Sequence, residues 1–70
     1  MTEVADRITI ALIPQAATDL DSARQRSGLS KTDIVNRALT LYEFVDATIA
    51  SGSEILVRDP SGQCTQLRLL

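Results

Sequence analysis

From Arg7 to Ile13 the chain reads Arg-Ile-Thr-Ile-Ala-Leu-Ile. Polar or small residues alternate with branched apolar ones, and that period of two predicts a strand with one buried face. Ile8, Ile10 and Leu12 fall on one side and Arg7, Thr9 and Ala11 on the other, because successive side chains of a strand leave on opposite faces. Residues 1–6 are mostly polar and without period, and read as a flexible arm. At Pro14 the spacing becomes helical: Ala16, Ala17, Leu20, Ala23 and Ser27 predict a first helix over residues 14–27. Pro14 suits the first turn, where a missing N–H costs nothing. Gly28 supplies a left-handed terminator, with Leu29 beyond it to pack back on the last turn. Asp19 and Asp21 lie towards the N-terminal half and Arg24 and Arg26 in the last turn, the order that suits the helix dipole.

Ser30-Lys31-Thr32-Asp33 is a capping-box variant in which Asp stands where Glu or Gln is usual. It predicts a second helix from Lys31 to about Ser51, ended by Gly52. Ile34, Val35, Ala38, Leu39, Leu41, Tyr42, Val45 and Ile49 cover more than one stripe of that helix. A surface so wide predicts packing on the first helix on one side and on a second copy of the chain on the other. Residues 54–70 return to strand spacing around Asp59-Pro60-Ser61-Gly62, whose Asp, Pro and Gly suit positions of a type I turn, and so predict a β-hairpin. An isolated hairpin is marginal in water, so Ile55, Val57, Leu67 and Leu69 are expected to lie on the helical body.

The strand at 7–13 has no second strand within reach of a tight turn, and buried backbone groups require partners. They pair either with the distant hairpin of the same chain or with another chain. Association is the favoured reading, because 70 residues are close to the size at which one core needs disulfides, metal or oligomerisation. One cysteine and no histidine leave only the last. Cys64 reads as a small, half-buried apolar residue and implies no oxidising compartment. The first residues carry Glu3 and Asp6 and no basic segment ahead of an apolar one, and no apolar run approaches the roughly 20 residues of a membrane span. A cytoplasmic protein without membrane contact is expected.

Residues 7–50, with Arg7-Ile-Thr-Ile-Ala-Leu12, a helix, Ser27-Gly28-Leu29-Ser30, and Lys31-Thr-Asp-Ile34-Val-Asn-Arg37-Ala38-Leu39, resemble the ribbon-helix-helix family of small bacterial and plasmid DNA-binding proteins. The resemblance implies an α+β fold, an intertwined homodimer whose paired N-terminal strands enter the major groove, here followed by a C-terminal β-hairpin. The division is then an arm at 1–6, a ribbon-helix-helix domain at 7–52 and the hairpin at 53–70. It implies that Arg7, Thr9 and Ala11 face bases. Ser30, Lys31 and Thr32 would meet phosphate at a helix N-terminus. Ile8, Ile10, Leu12, Ile34, Ala38, Leu41, Tyr42 and Val45 would form the dimer core. Two departures stand out. Ala11 has only a methyl group where the family commonly carries a long polar or basic side chain, and Ile13 intervenes before Pro14.

Charge and chemistry modify this picture. The net charge is −2, from seven basic and nine acidic residues. Residues 1–40 are balanced, five against five, so the acidic excess lies in the second half: Glu43, Asp46, Glu54 and Asp59 against Arg58 and Arg68. That works against phosphate neutralisation and keeps a second function class in play, a protein-interaction module such as an antitoxin that binds its partner through the C-terminal half. With no histidine, no Gly-rich phosphate loop and no cysteine paired with a base, neither catalysis, metal nor cofactor is expected. The first reading is a repressor: a transcription regulator recognising an inverted repeat in double-stranded DNA.

Overall fold

The computed structural model describes residues 3–68, two helices followed by a two-stranded antiparallel sheet. Ile13, extended at φ −68° and ψ 158°, hands the chain to Pro14 at the head of α1, Pro14–Ser27. No side chain caps this end and no acid occupies its first turn, so Asp19 and Asp21 lie too far along to act on the dipole's positive end. Arg24 and Arg26 do occupy the last turn. Gly28 ends the helix at φ 71°, its amide donating to the Arg24 carbonyl at 2.8 Å. This is a left-handed cap that a side chain at the same position would strain. The Ser27 hydroxyl donates to the Ala23 carbonyl at 2.7 Å and accepts the Leu29 amide at 3.2 Å.

α2, Lys31–Ala50, begins on Ser30, whose hydroxyl accepts the Asp33 amide at 3.1 Å while its carbonyl accepts the Ile34 amide at 3.1 Å. The helix ends in a Schellman arrangement. The Ser53 amide donates to the Thr48 carbonyl at 3.2 Å and the Gly52 amide to the Ile49 carbonyl at 3.0 Å.

The hairpin is shorter than the strand spacing predicts, with β1 at Leu56–Arg58 and β2 at Cys64–Gln66. Leu56, Val57 and Arg58 stand opposite Gln66, Thr65 and Cys64. The Leu67 amide donates to the Ile55 carbonyl and the Asp59 amide to the Gln63 carbonyl, both at 2.8 Å. The turn is type I: the Gly62 amide reaches the Asp59 carbonyl at 3.0 Å, and Gly62 follows at φ 91°. That left-handed residue lets a three-residue loop rejoin the twist of the strands.

The hairpin does not dock as expected. The strands pack on each other and the helices on each other, but no strand packs on a helix. Val57 is 55% exposed, and only Ile55 and Leu67 are half-buried. Leu69 lies outside the described residues, as do Met1 and Thr2 of the expected arm. The physical reason is reach: the Schellman turn at Ser51–Ser53 ends α2 and directs the short strands away, with too few apolar residues to draw them back.

Residues 3–13 belong to no helix or strand within the chain, and the sheet contains only β1 and β2, so the hairpin does not pair with residues 7–13. Among the described residues Val45 alone is buried, at 6% exposure. Around it, Ala16, Leu20 and Ala23 of α1 and Ile34, Val35 and Ile49 of α2 are half-buried. The Cα radius of gyration is 14.6 Å, against about 11 Å for a compact chain of this length. Among the described residues no helix is long and apolar enough to cross a membrane.

Candidate nucleic-acid interface

Local sequence assembles one part of the predicted site and leaves the rest dispersed. Ser30, Lys31 and Thr32 come together at the exposed N-terminus of α2 because the cap places them there. With Asp33 and Ile34 bonded to Ser30, the Lys31 and Thr32 amides have no acceptor among the described residues. The Thr32 carbonyl is engaged, accepting the Asn36 side-chain amide at 2.8 Å. Free amides at the positive end of a 20-residue helix favour an anion.

Arg7, Thr9 and Ala11 are exposed on the segment ahead of α1. The Arg7 amide donates to the Asp6 carboxylate at 2.8 Å, which sets an acid beside the first of the three residues expected to face bases. The alternate residues are exposed as well: Ile8 at 64%, Ile10 at 53% and Leu12 at 43%. Both faces of this segment are therefore open within one chain.

The residues assigned to the dimer core divide. Val45 is buried and Ile34 half-buried within the chain, whereas Ala38, Leu41 and Tyr42 are exposed, Leu41 at 63%. Ile34, Ala38 and Leu41 line an open groove of about 380 Å³ with Ala23 and Leu29, flanked by Arg26 and Arg37. In the sequence, Arg26 and Arg37 do not stand out together as the rim of an apolar groove. The signal is helical spacing: Arg26 follows Ala23 by three residues, and Arg37 follows Ile34 by three and precedes Leu41 by four. Phe44 is 64% exposed, off the side that carries Val45. Periodicity shows it as a position outside the stripe.

Asp59, in the hairpin turn, is held away from its ordinary value. The Ser61 hydroxyl, donating at 2.6 Å, holds the carboxyl below the usual aspartate range, helped by the Gln63 and Ser61 amides. No group of acids, histidines and cysteines among the described residues forms a metal cluster. Cys64 is free and exposed, not half-buried as its residue type implied. Compared with models of protein families, with characterised proteins and with solved structures, the chain finds no match.

Proposed function

We propose that the chain is a DNA-binding transcription regulator that acts as a ribbon-helix-helix homodimer. The observation that carries this reading is the exposed row of Ile8, Ile10 and Leu12 on a segment without ladder partners, directly ahead of two capped helices. Pairing it with the same segment of a second copy satisfies the backbone and covers the apolar row at once. Arg7, Thr9 and Ala11 then share the open face of a two-stranded ribbon, which fits a major groove. The Lys31 and Thr32 amides at the head of α2 supply a phosphate anchor, and the exposed Leu41 and Tyr42 supply apolar surface for the seam. A single buried side chain also supports association, being far less than the ordering of the chain requires.

The acidic second half favours one competing reading, an antitoxin-like module that binds a protein and holds DNA weakly. Binding of selected oligonucleotides across salt concentrations separates the two. Arg7→Ala removes about 1–3 kcal/mol at one base position per half-site, whereas Lys31→Ala weakens all sequences alike. Ala11→Arg raises affinity and changes preference at its own position. A parent chain without salt-sensitive DNA binding, or both Arg7→Ala and Ala11→Arg binding like the parent, overturns the ribbon as a reading head. The interaction reading then stands.

A further inference from the structure

Alternation in the hairpin ladder decides which backbone groups are left over. The Leu67-to-Ile55 and Asp59-to-Gln63 hydrogen bonds, with Val57 opposite Thr65, place residues 55, 57 and 59 in bonded pairs with the second strand. The N–H and C=O groups of Leu56 and Arg58 therefore point away from β2, along an open edge continuous with Glu54. No helix covers that edge. The Glu54, Leu56 and Arg58 side chains are exposed, Leu56 at 56%. Two strands alone are marginal, and an open apolar edge is a template for another strand.

The sequence along this edge is self-complementary. We infer that β1 pairs with β1 of a second copy, antiparallel about a two-fold axis at Leu56, giving a four-stranded sheet with the order β2-β1-β1-β2. In that register Leu56 stands opposite Leu56 of the second copy, and Glu54 opposite its Arg58, twice by symmetry. Ile55 meets Val57 of the second copy on the other face. Every cross-strand pair is then apolar with apolar or acid with base, the combinations that stabilise a sheet. Moving the two-fold axis by one residue, to 55 or 57, sets Glu54 or Arg58 against Leu56. Moving it by two, to 54 or 58, sets like charges against each other. The β2 edge offers no such match, since its outward positions are Cys64, Gln66 and Arg68. Isologous contact requires a self-complementary patch, and Glu54–Arg58 is one.

This inference is independent of the DNA-binding reading, and its test reports position as well as mass, so a ribbon dimer alone cannot mimic a positive result. In a Cys64→Ser background of the full chain, Leu56→Cys oxidises to a covalent dimer, because the Cα separation of about 5.5 Å expected across a bonded pair lies within disulfide range. Gln66→Cys in the same background does not. Charge exchange supplies the second arm, read as the yield of the Leu56→Cys cross-link in the Cys64→Ser chain. Glu54→Arg and Arg58→Glu singly weaken self-association by roughly two- to thirtyfold, the scale of two exposed cross-strand pairs, and together restore it. Equal cross-linking at 56 and 66, or a double exchange no better than the single ones, overturns the pairing.

Discussion

Asp59 holds Gln63 through both its backbone and its side chain: its amide donates to the Gln63 carbonyl at 2.8 Å, and its carboxylate accepts the Gln63 amide at 3.0 Å. The same carboxylate accepts the Ser61 hydroxyl and amide at 2.6 and 2.9 Å. These bonds favour the ionised acid, Ser61 foremost, and lower its pKa from the ordinary 3.8. A lowered folded-state pKa makes a contribution that is present above the unfolded value and lost as pH falls through the folded one. The Ser61 and Gln63 amide resonances are therefore expected to shift with a midpoint below that of free aspartate, and Asp59→Ala to abolish the shift. A midpoint at or above the free value would contradict the turn geometry.

If a second copy completes the core, folding and association are one event. The thermal midpoint then rises with protein concentration, as linkage requires when only the associated form is folded. Ile10→Asp puts a charge on the covered row of the ribbon and removes that dimer along with much of the helical signal. A midpoint independent of concentration, with a monomer mass, refutes the intertwined fold.

Leu41 offers a residue-level measure of the same point. Within one chain it is 63% exposed, and truncating an exposed side chain changes stability by no more than about 0.5 kcal/mol. Covered between copies, Leu41→Ala costs about 2–5 kcal/mol per buried site. Denaturant unfolding distinguishes the two values, with Val45→Ala, about 1.6 kcal/mol for two lost methyl groups, as the internal reference.

The helix ends make their own contributions. Ser30→Ala removes the hydroxyl that accepts the Asp33 amide and is expected to cost about 1 kcal/mol. Gly28→Ala meets no atom within 4 Å of the added methyl. Its cost comes from φ 71° alone, about 1–2 kcal/mol. Chemical denaturation measures both, and a Gly28→Ala chain as stable as the parent would remove the left-handed cap from the account.

Ending the chain at Ser53 is expected to leave the helical signal of α1 and α2 intact, since neither hairpin strand packs on a helix. The loss of stability is smaller than a hairpin seated on the helical body would imply, because Leu56 and Val57 are already more than half exposed. Circular dichroism of the truncated chain checks this. Collapse of the helical signal would mean that residues 54–68 support the helices after all.

Local chemistry wrote both helices into the sequence. Pro14, Gly28, Ser30 and Gly52 mark their ends through effects confined to a turn, and Asp59 to Gly62 likewise specify the hairpin loop without help from the rest of the chain. Packing was less legible. A period of two at residues 7–13 states that one face seeks cover, but one chain provides neither cover nor ladder, because a lone strand acquires its hydrogen bonds only from another strand. Ile55, Val57 and Leu67 announced an apolar hairpin face. Only the tertiary structure decided that the face stays off the helices, since the direction of the chain after Ser53 depends on how the last turn of α2 closes. Ladder alternation, too, belongs to the folded hairpin. Once Ile55 bonds Leu67, the groups of Leu56 must point outward, and the charge pattern of Glu54 and Arg58 acquires an edge on which to act.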